Sequence, residues 1–93
     1  MGKNKRVRVL IAGKVQGVFF RMETRRFADH IAVRGWVRNT RDGKVEAVFE
    51  GDESRVAEMI EWCKKGPPLS RVSGIDVTEE DWIGEFTSFE IRY

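Results

Sequence analysis

Between an apolar alternating stretch and a helical one lies Gly13-Lys14-Val15-Gln16-Gly17-Val18-Phe19-Phe20-Arg21. Residues of these types in this order can bind an anion. The two glycines, Gly13 and Gly17, let the backbone curl and approach a ligand closely. Successive amide N–H groups can then converge into an anion nest. A helix starting near Phe20 adds a partial positive charge of roughly half a unit at its first turn. Arg21 lies at that helix start, and its planar fork can hold two phosphate oxygens at once, which lysine cannot do. The stretch is not a Walker A loop, because no Gly-Lys-Ser/Thr closes it. The same residues also read as an ordinary strand–helix loop ending in a solvated arginine, and alone they do not decide between the two.

A second stretch, Gly35-Trp36-Val37-Arg38-Asn39-Thr40-Arg41-Asp42-Gly43-Lys44-Val45, reads first as a plain hairpin. Asp42-Gly43 is a strong turn signal, and Asn39 favours turns as well. Its position in the expected topology gives Asn39 a chemical reading, because a neutral amide there falls at the same sheet edge as the loop after the first strand. Other reactive types read as structural. His30, the one histidine, is expected on an exposed helix face, and Cys63, the one cysteine, on an apolar helix stripe. Glu79-Glu80-Asp81 reads as a solvated turn, and Lys64-Lys65 suits a helix C-terminus. No His/Cys/carboxylate cluster has metal-ligand spacing.

The elements that must position these groups follow from periodicity. Val7, Val9 and Ile11 alternate with Arg6, Arg8 and Leu10 as a strand. Phe20, Thr24, Phe27, Ala28 and Ile31 fall at helical spacing. Trp36 to Asn39 and Val45 to Phe49 form the arms of a hairpin. Asp52 reads as a helix N-cap with Glu53 in the first turn. Val56, Met59, Ile60 and Cys63 make the stripe of a second helix, which Gly66-Pro67-Pro68 ends. Val72, Ile75 and Val77 give a fourth strand, and Phe89, Ile91 and Tyr93 a short last one. The order β-α-β-β-α-β predicts an α+β ferredoxin-like sandwich, with both helices on one face of a largely antiparallel sheet. In it the first and second strands run parallel, separated by the third. That fold hosts many functions, so function must come from the site.

Composition bounds the rest. The chain has 93 residues, enough for one domain with a single core. With 17 Lys and Arg against 15 Asp and Glu, the net charge of +2 does not by itself imply nucleic acid. No apolar run reaches the roughly 18 residues of a membrane span, and the basic start Met1-Gly2-Lys3-Asn4-Lys5-Arg6 is followed by no signal-peptide core. Arg6 stands where a myristoylation motif needs Ser or Thr. A lone cysteine forms no internal disulfide, so a cytoplasmic setting is expected.

Ile11-Ala12-Gly13-Lys14-Val15-Gln16-Gly17-Val18-Phe19-Phe20-Arg21 resembles the first acylphosphatase signature at every defined position. Gly35-Trp36-Val37-Arg38-Asn39, with Gly43, Val45 and Gly51, resembles the second. The resemblance extends through Gly66-Pro67-Pro68 to Phe89-Glu90-Ile91-Arg92-Tyr93. Residues 1–5 lie outside it as a basic tail, leaving one domain over 6–93. The resemblance implies an acid-anhydride hydrolase that cleaves the carboxyl–phosphate bond of acyl phosphates, with no metal and no cofactor. It implies that Arg21 binds the phosphate and Asn39 orients the water. The backbone amides of Gln16, Gly17, Val18, Phe19, Phe20 and Arg21 then cradle the phosphate, and Thr40 steadies the site. Carbamoyl phosphate and phosphoglyceryl anhydrides both fit as substrates.

Two other classes share this element order. RNA-recognition modules need aromatics on the third strand, whereas Lys44-Val45-Glu46-Ala47-Val48-Phe49 lacks that pattern and adds acid. A catalytically silent phosphate-binding domain is the other alternative, since acylphosphatase-like domains occur inside larger carbamoyl-transferring enzymes. Retention of both Arg21 and Asn39 favours catalysis. The expected partner is a small-molecule acyl phosphate, with no nucleic acid and no membrane, and the protein is expected to be a monomer.

Overall fold

Strand alternation in the first segment buries one face completely. Val7, Val9 and Ile11 are each at most 1% exposed, while Arg6, Arg8 and Leu10 point the other way and are half-buried. The computed structural model describes residues 3–93. Its elements are β1 (Asn4–Lys14), α1 (Phe20–His30), β2 (Arg34–Asn39), β3 (Val45–Asp52), α2 (Glu53–Lys65), β4 (Arg71–Glu80) and β5 (Phe89–Arg92). Of the basic tail expected at 1–5, Met1 and Gly2 lie outside the described residues. Asn4 and Lys5 are already in β1, opposite Asp52 and Gly51 of β3.

The sheet has the order β4-β1-β3-β2-β5. All pairs are antiparallel except β2 with β5, which run parallel. Both crossovers therefore join parallel strands, and the two helices share one face: α1 lies over β2 and β5, α2 over β1, β3 and β4. This is the ferredoxin-like α+β sandwich with an added C-terminal strand. Its core joins the inward residues of β1 and β3 to Phe20 and Ala28 of α1 and Val56, Met59 and Cys63 of α2. Burial pushes the Cys63 thiol well above its ordinary range, so it stays a protonated packing group.

Local chemistry sets the element ends. The Asp52 carboxylate accepts from Ser54 N at 3.1 Å and caps α2 as the sequence predicts. Gly66 ends that helix at φ 71°. α1 ends differently: Val33 N donates to Ala28 O and Ala32 N to Asp29 O, a Schellman arrangement with Ala32 at φ 60° where glycine is usual. Val72 and Ile75, three apart, both pack on the core, which plain alternation forbids. A bulge accounts for it: Ala12 pairs with Gly74 and Gly13 with Val72, so Ser73 is skipped and the parity of β4 flips.

Candidate active site

Register brings the two sequence stretches together. Val45 of β3 pairs with Ile11 of β1 on one side and Asn39 of β2 on the other. Asn39 is thus level with the end of β1, two strand spacings or roughly 10 Å across. The loop that leaves β1 folds back over this edge. The Gln16 carboxamide donates from Nε2 to Thr40 O and Lys44 O, each at 2.8 Å, tying the loop to the β2–β3 turn.

The loop then turns into α1 through left-handed residues, Gly17 at φ 72° and Phe19 at φ 62°. Phe19 is the N-cap, and no side chain caps the helix. Phe19 in the left-handed region followed by helical Phe20 is the backbone alternation that aims consecutive N–H groups at one point. The first amides of α1 have no intrahelical acceptor and lie beside an open space. That space is a cleft of about 250 Å³ lined by Gly17, Phe19, Phe20, Arg21 and Asn39, with Val15, Met22, Ile91 and Tyr93 completing its walls. Arg21, Asn39 and the first residues of α1 therefore line a single small cavity.

Arg21 is held from the far side. Its Nη1 donates to Arg92 O at 3.3 Å, and its guanidinium carbon lies 4.7 Å from the Tyr93 ring centroid. The parallel pairing of β5 with β2 puts Arg92 opposite Arg38, so the next residues along the two strands are Tyr93 and Asn39. A cation–π contact and one carbonyl orient the fork without neutralising it.

The remaining expected residues have other places. Gly13, at φ 128°, stands outside the cleft, where an added Cβ would lie 2.1 Å from Arg71 O; the close approach of β4 requires glycine there. At Gly17 an added Cβ would meet nothing within 4 Å, so that position needs glycine for its backbone conformation. Val18 is buried behind the loop. Thr40 also stands outside the cleft: its hydroxyl accepts from Lys44 N at 3.0 Å and contacts Asp42, which closes the hairpin beside Asn39. His30 is exposed on α1, its ring tilted by 36° against that of Phe27 with centroids 6.5 Å apart. Among the described residues there is no group of three or more His, Cys, Asp or Glu able to hold a metal ion.

Sequence reasoning missed three contributors. The Gln16 side chain acts through main-chain acceptors far along the chain, which leave no local signature. Arg92 acts through its carbonyl. Tyr93 did leave a signal, because it alternates with the core-facing Phe89 and Ile91; it is fully exposed, and its ring centroid lies 4.7 Å from the Arg21 guanidinium carbon.

A family model described as Acylphosphatase matches residues 7–91. The chain belongs to the acylphosphatase family. An acylphosphatase of Syntrophobacter fumaroxidans is 55% identical over 89 residues, covering 96% of this chain and 92% of that protein. The crystal structure of acylphosphatase from Bacillus subtilis superposes with a TM-score of 0.92 at 38% identity, covering 96% of this chain and 99% of that one. The structure of HypF from T. kodakarensis also contains a matching region, with a TM-score of 0.83 at 33% identity over 96% of this chain but 12% of that one. Among the described residues no helix is long and apolar enough to cross a membrane.

Proposed function

We propose that this acylphosphatase binds the phosphoryl group of an acyl phosphate in the Arg21 cleft and hydrolyses it with water aimed by Asn39. The observation that carries the reading is the convergence of Arg21, Asn39 and the uncapped start of α1 on one cavity of about 250 Å³. The amides of Gln16 to Arg21 and the Arg21 fork bind the three equatorial oxygens. They follow the charge of those oxygens into the transition state. Asn39 offers a donor and an acceptor but no useful ionisation, so it positions water and does not remove its proton. That proton passes to a phosphate oxygen of the substrate while the carboxylate departs, giving carboxylate and inorganic phosphate.

Each role has its own test. Arg21→Ala loses phosphate binding and turnover together. Asn39→Ala keeps inhibition by inorganic phosphate but loses at least roughly a hundredfold in kcat with benzoyl phosphate, the scale of one transition-state hydrogen bond. Normal turnover by the Asn39→Ala protein would remove the water-positioning role. The same assay with a chelator tests the metal-free route, which predicts unchanged rates. Catalysis is favoured over silent phosphate binding because the water-orienting amide and the anion cradle share one cavity.

We further propose that the protein acts as a cytoplasmic monomer and does not bind nucleic acid. Three arginines of the outer sheet face, Arg6, Arg8 and Arg38, are engaged by Glu46, Glu50 and Glu80, which supports the last point. A low-salt gel shift and sizing by light scattering test the two statements.

A further inference from the structure

The cleft accounts for the phosphoryl group and the water and leaves the acyl group without a place. In-line attack fixes its direction: water enters from the side of Asn39, so the carboxylate leaves away from it. Phe19 and Met22, which line the cleft, also line a second hollow of about 280 Å³ that Asn39 does not reach. Its other walls are Val18, Pro67, Pro68 and Leu69, and Glu23 is the one charged residue on it.

Three large apolar side chains meet there in the open: Phe19 is 65% exposed, Met22 52% and Leu69 64%. Phe19 is the most telling. A bulky residue at φ 62° is strained, and glycine would meet that conformation freely. An exposed apolar ring adds a second unfavourable feature at the same residue, and the core makes no use of it. A side chain kept at such a position is explained by contact with something outside the protein. Opposite it, two consecutive prolines hold the Pro67–Leu69 wall rigid, so little ordering is left to a ligand. Glu23, already engaged by Arg26 at 3.3 Å, sets a negative charge at the rim.

We propose that this shelf seats the acyl moiety of the substrate, and that the enzyme therefore selects acyl phosphates with an apolar, ring-sized or branched acyl group over small or anionic ones. The proposal rests on the acyl phosphate reading of the cleft and specifies which acyl phosphates it takes. Continuity through Phe19 and Met22 is what commits the shelf to the substrate. The hollow is close in size to the smallest ligand sites, roughly 300 Å³, and is mostly apolar as such sites are.

The test compares kcat/KM for benzoyl phosphate and acetyl phosphate in wild type, Leu69→Ser and Phe19→Gly. Leu69 makes no part of the phosphate cradle, so acetyl phosphate turnover should be unchanged in Leu69→Ser. The benzoyl-to-acetyl ratio should fall about five- to tenfold, the effect of one partly buried apolar side chain. Phe19→Gly relieves the left-handed strain, so it folds at least as well as wild type, and its ratio should fall by a similar factor. Ratios unmoved in both variants would overturn the shelf while leaving acyl phosphate hydrolysis intact, and would point to a protein-docking face instead. A wild-type chain that hydrolysed neither compound would remove the underlying reading and the shelf with it.

Discussion

Arg21 makes few contacts with the rest of the protein: one 3.3 Å bond to a carbonyl and a ring face 4.7 Å away. A residue so lightly tied holds little of the fold, so its substitution should separate activity from stability. Arg21→Lys keeps the charge and loses the planar fork. We expect kcat/KM for benzoyl phosphate to fall at least roughly a hundredfold, while urea unfolding shifts by no more than about 0.5 kcal/mol. A larger stability loss would show that the guanidinium braces β5. That Arg21 and Asn39 share one cleft was legible in the sequence, because the expected strand order put both at the same sheet edge. Alone, an arginine where a glycine-bearing loop enters a helix and an amide closing a strand read equally as surface and turn residues, and their roles came from the family resemblance. The side chain of Gln16 gave no such sign. Its acceptors are carbonyls 24 and 28 residues away, and a backbone oxygen carries no residue identity for a pattern to detect.

At the level of elements, that carboxamide joins the loop between β1 and α1 to the hairpin that carries Asn39. Both its acceptors have a second partner, since Lys44 O also accepts from Thr40 N and Thr40 O from Gly43 N. Gln16→Met therefore orphans no buried carbonyl and should cost only about 1–2 kcal/mol of stability. Its larger effect should be on kcat, roughly ten- to a hundredfold, because the two halves of the site lose their mutual alignment. A change in KM for phosphate alone, with kcat intact, would argue that Gln16 serves binding only. The end of α1 offers the opposite experiment. Ala32 at φ 60° is exposed and carries the left-handed turn at a cost glycine avoids. Ala32→Gly should raise the urea midpoint by an amount equivalent to about 0.5–1 kcal/mol, with activity unchanged. The sequence predicted every element in order, but not how α1 would end or that β4 would bulge. A glycine after the helix was visible only as Gly35, which instead opens space for Val48 O at 1.8 Å from an added Cβ. The skipped Ser73 is set by how β4 meets Gly13, a contact between segments 60 residues apart in sequence.

Over the whole molecule, the outer face of the sheet is a lattice of ions. Arg6 bonds Glu50 at 3.0 Å and Glu80 at 2.9 Å and also reaches Glu85; Arg8 bonds Glu80 at 3.0 Å and Glu46 at 2.6 Å; Arg38 shares Glu46. The alternation of Arg6 and Arg8 with the core valines told which way they point. Which acids they meet depended on strand order, because Glu46 and Glu50 flank β1 from β3 and Glu80 from β4. Hydrogen bonds from Arg6 and Arg8 hold the Glu80 carboxyl below its ordinary value of 4.5. For Glu46, burial opposes the charge, but Arg38 and Arg8 outweigh it and the carboxyl is again lowered from 4.5. A carboxyl lowered by folding adds stability that is complete above its unfolded value and disappears as pH falls through its folded one. Unfolding free energy should therefore hold level from neutral pH to about 4.5 and decline below it. A Glu46→Gln/Glu80→Gln protein should start lower and decline less steeply. Arg6 links this lattice to the segment between β4 and β5, through Glu85 and the Phe86 ring 5.3 Å away. It is also the cation for Glu50, whose side chain is 1% exposed and whose Oε1 has no partner among the described residues. Arg6→Met leaves that carboxylate buried with no counter-charge, and should cost about 3–5 kcal/mol in urea unfolding at pH 7. Adding Glu50→Leu to Arg6→Met should recover most of the loss, because the penalty lies in the stranded charge and not in the missing pair. If the double variant is no more stable than Arg6→Met, the stabilising role of Arg6 lies instead in the segment it fastens to the sheet.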